Sequence, residues 1–370
     1  MKKTLNDKSI KEIEDIFLKE GYQKFRAKQV YRQIHVNKIN DFSMMTDLSK
    51  EMREKLAANF TFPKMELVKE FASEIDSTKK YLFSLNDGNI IEAVFMDYDK
   101  RKTICISSQV GCRMGCKFCA STKNGLVRNL TAAELIEEVY ELERINGDIN
   151  NIVIMGIGEP LDNYENIVKF IDLITDANGR DLSHRSITLS TSGLCPMIKK
   201  LADSSLDVNL ALSLHYADDE KRQKFMPIAK KYKIEDLMEA TDYYLAKTKR
   251  RVSFEYVVID GVNNTDKDVD NLYNLLKNKN VHINLIPLNP IEEFAYNRPK
   301  SSALREFRDK LVKRKLNATI RKSMGSDIDA SCGQLRNNYA RWAWNLVQYR
   351  ILAKWGKKTR MPTPIYPLEN

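Results

Sequence analysis

Three cysteines within eight residues constrain this chain more than any other part of its sequence. The segment Gly111-Cys112-Arg113-Met114-Gly115-Cys116-Lys117-Phe118-Cys119 has the spacing C-x₃-C-x₂-C, with an aromatic residue before the last cysteine. Cysteines this close cannot pair as disulfides without strain, but their thiolates can converge on one metal centre. Three ligands are one fewer than a structural zinc or a simple electron-transfer cluster uses. The spacing therefore favours a [4Fe–4S] cluster with one open iron; zinc with a distant fourth ligand and three unrelated buried thiols stay open.

Length and composition indicate a globular chain with no membrane span. With 370 residues, the chain can form one large domain with smaller additions. It contains no run of eighteen apolar residues, and its charged N-terminus lacks the apolar segment of a signal peptide. We therefore expect a cytoplasmic protein whose six cysteines bind metal or react as thiols.

The charge balance is compatible with a polyanionic partner. The chain has 60 basic and 50 acidic residues, a formal net charge of +10; many basic proteins nevertheless bind no nucleic acid. Residues 340–370 carry six basic residues against one acidic residue, and all three tryptophans. Arg341 to Trp355 has helical composition, which predicts a docking helix or, as the alternative, an element that stacks on RNA bases. A membrane-surface helix is the third reading.

Hydrophobic periodicity predicts helices in the first sixty residues and alternating strands and helices later. The basic positions of Phe25–Gln29 predict either a solvated helix face or a nucleic-acid contact. Two strands joined at Asn86–Asn89 form a predicted hairpin. The predicted strands are Lys79–Leu85, Ile90–Met96, Thr103–Ser107, Asn151–Met155, Ser186–Ser190, Val208–Leu214, Val252–Val258, His282–Pro287 and Ala318–Arg321. The predicted helices between them are Ala132–Ile145, Tyr164–Thr175, Ile234–Thr248, Lys267–Leu276 and Ser302–Arg314.

This alternation predicts an α/β fold of parallel β/α units, in which functional residues follow the strands. Six units fit an open partial barrel better than a closed eight-fold one. Polar motifs do follow four of the strands, and together they predict a ligand pocket downstream of the cysteine loop. These motifs are Gly156–Pro160, Ser190–Gly193, Ser213–His215 and His282–Asn289.

Three further residues stand out for their settings. Cys332 lies in a polar loop bounded by glycines, and Cys105 lies on a strand seven residues before the cysteine loop. Glu92 lies between Ile91 and Ala93 on an apolar strand, where a carboxylate is costly unless it is paired or used. Cys195 is predicted to be simply buried.

The chain resembles the radical S-adenosylmethionine (SAM) adenine methyltransferases of the RlmN/Cfr group. The cysteine spacing matches the radical-SAM pattern, in which the open iron binds the amino and carboxylate groups of SAM. The resemblance runs in order over residues 10–337. It is carried by Phe25–Gln29, Ser108–Cys112, Met155–Pro160, Leu189–Gly193, Ser213–His215, Met226–Pro227, Phe254–Tyr256, Leu285–Asn289 and Asp327–Leu335.

This resemblance implies a role for each candidate residue. Cys112, Cys116 and Cys119 would hold a [4Fe–4S] cluster. SAM, used twice per turnover, would be bound by Gly158, Glu159, Ser190, Ser213, Leu214, His215 and Asn289. Cys332 would be methylated and would carry a methylene radical to adenine, giving a covalent protein–RNA intermediate. Cys105 would resolve this intermediate through a disulfide with Cys332, and Glu92 would accept the proton.

The resemblance also implies the substrates. They would be one adenine in the peptidyl-transferase region of 23S rRNA, before ribosome assembly is complete, and the adenine just 3′ of the anticodon in some tRNAs. Motif details favour methylation at C2 over the alternative, a C8 methyltransferase that gives antibiotic resistance. A redox-inactive RNA-binding or zinc-binding module is the alternative from another class. Two positions depart from the family pattern: Ser331 stands where alanine is usual, and Ala229 where asparagine is expected.

The domain organisation predicted from these features has four parts. Residues 1–62 form a helical accessory domain that contacts RNA, and residues 63–100 form a β-hairpin extension. Residues 101–337 form the radical-SAM partial (β/α)₆ barrel, and residues 338–370 form a basic C-terminal extension. The expected partners are RNA and an electron donor such as flavodoxin or ferredoxin, and the expected state is a monomer.

Overall fold

The computed structural model of the chain describes residues 2–99 and 101–336. The predictions for the tail, both the docking helix and the RNA-contacting element, fall at 340–370 and so lie outside the described residues.

The N-terminal region is helical, as predicted. It contains β1 (Lys3–Thr4), α1 (Ile10–Lys19), α2 (Phe25–His35), α3 (Lys50–Asn59) and β2 (Phe60–Thr61), and the two short strands pair in parallel. The first helix begins where Ser9 and Glu12 form a capping box that satisfies free N–H groups. Ile13 and Phe17 lie one turn apart and are both buried, so this helix is held by its apolar face.

The rest of the described chain is built around one ten-stranded sheet. Its strand order is β14-β13-β12-β11-β10-β9-β6-β5-β4-β3. The strands are β3 (Met65–Ala72), β4 (Lys79–Leu85), β5 (Ile90–Asp97), β6 (Lys102–Cys105), β9 (Asn151–Ile154), β10 (Ile187–Thr191), β11 (Asn209–Ser213), β12 (Val252–Val258), β13 (Val281–Pro287) and β14 (Ala318–Ile320). A separate antiparallel pair, β7 (Gln109–Gly111) and β8 (Leu126–Asn129), follows β6.

The sheet is mixed, and its parallel part is an open row of β/α units. Within this sheet β6 and the strands from β9 to β14 are parallel, whereas β3, β4, β5 and β6 pair antiparallel with one another. The helices that follow the parallel strands are α4 (Ala132–Asn146), α5 (Tyr164–Ile174), α6 (Cys195–Asp203), α7 (Asp219–Phe225), α8 (Ile234–Thr248), α9 (Asp266–Leu276) and α10 (Ser301–Lys313). The fold is therefore α/β with an open parallel sheet, which confirms the predicted class.

Each parallel strand divides its side chains between the two faces of the sheet. Ile152 and Ile154 of β9 lie in the main apolar core, whereas Val153 between them lines a cavity on the other face. In β10, Ile187 and Leu189 repeat this pattern. Because side chains alternate along a strand, one face is covered by helices and the other stays open.

The accessory region packs directly on the barrel. The Tyr31 hydroxyl donates to Asp176 Oδ2 at 2.7 Å, and His35 Nδ1 lies 2.9 Å from the Tyr140 hydroxyl. Asn6 Nδ2 donates to the carbonyl of Ala133 at 3.1 Å. These contacts join the N-terminal helices to α4 and to the loop after α5.

Most predicted elements are present, with shifts at their ends. The predicted turn at Asn86–Asn89 joins β4 to β5, as expected. Helices α6 and α7 and the β7–β8 pair were not predicted, and all of them are short. The predicted β-hairpin extension, residues 63–100, contains β3, β4 and β5, which are three strands of the same sheet.

Candidate active site

The three cysteines lie in a loop that the β7–β8 pair fixes beyond the carboxyl end of β6. The N–H of Cys112 donates to the carbonyl of Gly125 at 2.9 Å, at the base of this loop. Gly111 has a φ of 75°, and a Cβ atom there would lie 2.0 Å from the Gly125 carbonyl oxygen. Only glycine fits this approach. The shape of the loop at its base therefore depends on a glycine at position 111.

Cys112, Cys116 and Cys119 line one pocket. Burial raises the pKa of all three thiols, that of Cys112 to about 12. The thiols are therefore protonated near neutral pH, and they would lose their protons when a bound metal supplies positive charge. The described residues hold no group of three ligands set around a single metal ion, and a four-iron cluster needs none, because each thiolate binds a different iron. The donor set, three thiols on one pocket wall, fits an iron–sulfur cluster.

Glu159 follows β9 and is fixed at the wall of this pocket. Its Oε2 accepts the N–H of Ser192 at 2.7 Å, and its Oε1 accepts the N–H of Leu161 at 3.1 Å. The carboxyl group is 2% exposed, and burial raises its pKa against the effect of these hydrogen bonds. The side chain thus joins the ends of β9 and β10.

Gly158 lines the same pocket. The sequence alone does not show whether a glycine is needed there for ligand binding or for packing, and the structure shows a packing requirement. Its φ is 116°, and a Cβ atom would lie 2.5 Å from Ser108 Oγ and 2.8 Å from Gln109 Cβ. The turn packs against the segment just before the cysteine loop. Any larger residue would push the two apart.

His215 is a neutral, oriented histidine at the end of β11. Its Nδ1 accepts the backbone N–H of Val257 at 3.0 Å, so its Nε2 carries the proton. Burial lowers the pKa of the ring to about 3. The ring meets Phe118 edge-on, with centroids 4.9 Å apart. The aromatic residue of the cysteine motif therefore packs against the histidine predicted to bind SAM.

The remaining predicted ligand-binding residues divide into two groups. Ser190, Ser213 and Asn289 line the pocket, each at or just past the end of a strand. Leu214 does not: its side chain is fully buried in the main core, and its N–H donates to the carbonyl of Glu255 at 3.1 Å. Any contribution of Leu214 to binding is made by its main chain.

The loop that carries Cys332 is fastened directly to the cysteine loop. Asn289 Nδ2 donates to the carbonyl of Cys332 at 3.0 Å. The N–H of Ala120, next to Cys119, donates to the carbonyl of Gly333 at 2.7 Å. Residues more than 200 positions apart in sequence are thereby brought to one pocket.

Cys105 and Cys332 share a second, smaller cavity of about 30 Å³. Cys332 is half-buried and lines both cavities, whereas Cys105 is 7% exposed and lines only the smaller one. Burial raises the pKa of the Cys105 thiol, and Cys332 adds to this effect. Cys195 lies elsewhere, buried at the start of α6, as predicted.

Glu92 lies behind this cavity. It is 1% exposed; its Oε2 accepts the N–H of Arg336 at 3.1 Å, and its Oε1 has no hydrogen-bond partner among the described residues. Lys80 Nζ lies 4.0 Å from Oε1 and donates to the carbonyl of Asp329. Burial raises the pKa of Glu92 to about 7, and Lys80 opposes this shift. Glu92 lines neither cavity, but Val94, on the same face of β5, lines the smaller one.

Two charged residues of the site, Arg321 and Arg222, were not predicted from the sequence. Arg321, just after β14, lines both cavities and lies 3.5 Å from Glu255 Oε2. Arg222 is fully buried and donates to the carbonyls of Ser192 and Leu214. The rule that functional residues follow strands could have found Arg321; nothing in the charged sequence of α7 marks Arg222 as buried.

Comparison with known proteins assigns the family. A family model described as the radical SAM superfamily matches residues 106–276. A second model, described as the ribosomal RNA large subunit methyltransferase N-terminal domain, matches residues 3–61. A curated protein named probable dual-specificity RNA methyltransferase RlmN, from Lachnoclostridium phytofermentans, is 50% identical over 86% of this chain and 90% of its own length. The chain belongs to the RlmN family.

Other relatives agree with this assignment. The RlmN proteins of Finegoldia magna and Clostridium novyi are 48% and 47% identical over 90% and 92% of this chain, and 96% and 99% of their own lengths. The crystal structure of a radical SAM methyltransferase from Sphaerobacter thermophilus superposes with a TM-score of 0.87 at 38% identity. It covers 91% of this chain and 100% of that one.

RlmN-family membership confirms the family predicted from the motifs and does not favour the C8-methylating alternative. The radical SAM family implies a [4Fe–4S] cluster and SAM, and the three cysteines and the pocket are suited to both. Within residues 2–99 and 101–336, no helix is long and apolar enough to cross a membrane.

Proposed function

We propose that the protein methylates C2 of adenine in RNA, acting on 23S rRNA and on the adenine 3′ of the anticodon in some tRNAs. The observation that carries this proposal is the pair Cys105 and Cys332, which share one cavity beside the pocket of the three cluster cysteines. A simple methyl transfer needs neither thiol. Two thiols are needed when one carries a carbon to the substrate and the other releases it.

The cofactor site is assigned residue by residue. Cys112, Cys116 and Cys119 would hold the cluster, and its open iron would bind SAM. Glu159, Ser190, Ser213, His215 and Asn289 line the space beside those thiols, with Gly158 and the main chain of Leu214 at its edge. The neutral His215 can donate through Nε2, and the Glu159 carboxyl can accept from a SAM hydroxyl or ammonium group.

The cluster and two SAM molecules would supply a methyl group and a radical that removes one hydrogen atom from it. Cys332 would receive the methyl group on its sulfur and, as a methylene radical, form a bond to C2 of adenine. Glu92 would take the proton from C2, and the unpaired electron left on the ring would pass to a one-electron acceptor, a role that an oxidised iron–sulfur cluster can fill. Cys105 would then attack the sulfur of Cys332, so that a disulfide forms and the bond between this sulfur and the methylene carbon breaks. The carbon leaves with the electron pair and is protonated to a methyl group on the base.

Family membership also supports proposals for the RNA-contacting domain, the electron donor and the location of the protein. Residues 1–62 would act as an accessory domain that contacts RNA, supported by the match of residues 3–61 to a ribosomal RNA methyltransferase N-terminal domain. A flavodoxin or ferredoxin would supply electrons. The protein would act as a cytoplasmic monomer.

A Cys105→Ala variant tests the two-thiol scheme. It keeps the acceptor Cys332 and the three cluster cysteines, so the bond to RNA forms but cannot be resolved. We expect a covalent protein–RNA adduct on a denaturing gel after incubation with SAM, a reductant and substrate RNA. Cys195→Ala, which removes a buried thiol outside the site, is the matched control and should turn over without an adduct. A Cys105→Ala variant that keeps its iron and either gives no adduct or gives methylated product contradicts the scheme.

A further inference from the structure

The open face of the sheet forms a cavity of about 620 Å³ that the proposed reaction does not use. It continues from the active-site pocket, because Met155, Glu255 and Arg321 line both. The pocket lies at the carboxyl ends of the strands, and this cavity, here called the lumen, lies along their amino-terminal halves. A volume of this size suits a nucleoside-sized ligand.

The wall of the lumen is polar, although the interior of a closed β/α barrel is normally filled by branched apolar side chains. The polar side chains come from successive parallel strands and share one face of the sheet. They are Thr103, Asn151, Thr188, Asn209, Ser253 and Asn284. Amides and hydroxyls in a row can donate and accept hydrogen bonds, as the edges of nucleic-acid bases require.

One of these groups lacks a partner among the described residues. Thr103 is 5% exposed and lines the lumen, yet its Oγ1 makes no hydrogen bond. A buried hydroxyl without a partner is costly in a folded protein. A polar ligand in the lumen would supply the partner.

The lumen is also strongly basic. Five basic side chains line it against a single carboxylate, Glu255, which already accepts from Asn284 at 2.8 Å and faces Arg321. Of the five, Arg101, Arg251 and Lys322 are exposed, and no carboxylate among the described residues lies in ion-pair contact with them. Exposed cations at the edge of a polar cavity are suited to phosphate groups.

An aromatic ring lies where the lumen meets the reactive thiols. Tyr98 lines both the lumen and the small cavity of Cys105 and Cys332, and the Arg101 guanidinium lies 5.3 Å from its ring centroid. A flat ring beside a cation is a common surface on which single-stranded bases stack.

We propose that the lumen binds the single-stranded RNA next to the target adenine. Arg101, Arg251 and Lys322 contact its phosphates, the polar wall meets its bases, and Tyr98 stacks on the base beside the reacting one. The target adenine thereby reaches Cys332 from the side opposite the cysteine loop. This inference rests on the proposed function, since it takes RNA as the substrate.

The salt dependence of RNA binding tests the proposal without relying on turnover. The probe is a fluorescein-labelled RNA stem–loop with an adenine 3′ of its anticodon, bound to the cluster-loaded protein under anaerobic conditions and followed by anisotropy. The triple variant Arg101→Ser/Arg251→Ser/Lys322→Ser should bind at least about tenfold more weakly. Its plot of log affinity against log salt should be shallower by about 2, since each single-strand phosphate contact contributes about 0.7.

A matched triple variant controls for the general loss of charge. Lys300, Arg305 and Lys313 are exposed at or near α10, away from the lumen, and Lys300→Ser/Arg305→Ser/Lys313→Ser removes the same charge. This control variant should change the salt slope by less than half as much as the lumen triple variant does. Tyr98→Leu, which keeps the charge, should weaken binding about fivefold or more and leave the slope unchanged.

The outcomes separate the two proposals. If the wild-type protein neither binds nor methylates the RNA, the proposed function fails. If it does both, but the lumen triple variant behaves like the α10 triple variant or Tyr98→Leu binds as tightly as wild type, RNA does not occupy the lumen. Methylation of the same RNA by the wild-type protein is measured in parallel.

Discussion

At the scale of single residues, the site depends on charged groups held out of water. Arg222 is fully buried, and its guanidinium donates to the carbonyls of Ser192 at 2.8 Å and Leu214 at 3.3 Å. It therefore ties together the ends of β10 and β11, where pocket residues lie. Glu92 is equally buried, but one of its oxygens has no hydrogen-bond partner within residues 2–99 and 101–336. Arg222 thus stabilises the shape of the site, whereas Glu92 has an oxygen that can accept a proton.

Replacing Arg222 tests this structural role. Arg222→Met removes a buried donor to several backbone carbonyls and leaves that of Ser192 without its 2.8 Å partner, which should lower the free energy of unfolding by about 3 kcal/mol. Lys224→Met, on the same helix but without these contacts, is the control and should change it by less than about 0.5 kcal/mol. Chemical denaturation of both variants gives the comparison. Equal stability of the two variants would mean that Arg222 does not hold the strand ends.

The proposed role of Glu92 predicts a pH dependence. Burial raises its pKa to about 7, and only the carboxylate form can accept a proton. The single-turnover rate at which methylated adenine forms, which includes loss of the C2 proton, should therefore rise with pH, with a midpoint near 7. Glu92→Gln should be slow and insensitive to pH over the same range. Lys80→Met removes the cation that opposes the shift, so its midpoint should lie higher; identical profiles in wild type and Glu92→Gln would exclude this role.

At the scale of elements, the accessory helices are joined to the barrel by a buried pair, His35 of α2 and Tyr140 of α4. Burial lowers the pKa of His35 to about 3, so the ring is neutral in the folded protein near neutral pH. In the unfolded chain it gains a proton below about pH 6.5. Its contribution to stability is therefore complete above pH 6.5 and is lost as the pH falls towards 3.

His35→Gln should reveal this dependence. The difference in unfolding free energy between wild type and variant should shrink by about 2 kcal/mol between pH 7.5 and pH 5. Chemical denaturation at several pH values measures it, and His184→Gln controls for loss of a histidine at a half-exposed position. A difference that stays constant over this pH range would show that His35 is not buried in its neutral form.

The sequence predicts the elements of this fold better than their assembly. Val252–Val258 and Ile234–Thr248 match their predicted bounds because their apolar patterns are long and regular. The short β7–β8 pair was not predicted, since three or four residues carry too little periodicity. In the site, the position of each motif at a strand end was predictable, but the burial of Arg222 was not. The burial of Arg222 depends on carbonyls supplied by Ser192, Leu214 and Tyr232, which lie 8 to 30 positions away in the sequence.

At the scale of the whole molecule, one apolar core runs from the accessory helices to the last strand. It includes Ile13 of α1, Leu135 of α4 and Ala318 of β14. The site lies on the opposite face of the sheet, with the cluster cysteines at one end and the basic lumen at the other. Cys332 lines the pocket, and the small cavity that it shares with Cys105 meets the lumen at Tyr98 and Arg321. On the proposed assignment, SAM would reach Cys332 through the pocket and RNA would reach it from the side of the lumen.

The position of the new methyl group on the product RNA shows directly whether the protein methylates C2 of adenine through Cys332. The cluster-loaded protein is incubated with SAM, a reductant and an unmodified fragment of 23S rRNA, and the RNA is digested to nucleosides for mass spectrometry against standards. The Cys332→Ala variant, which lacks the proposed acceptor sulfur, is the control and should give no methyladenosine. We expect 2-methyladenosine from the wild-type protein alone. Detection of 8-methyladenosine in its place, or of product from Cys332→Ala, would contradict it.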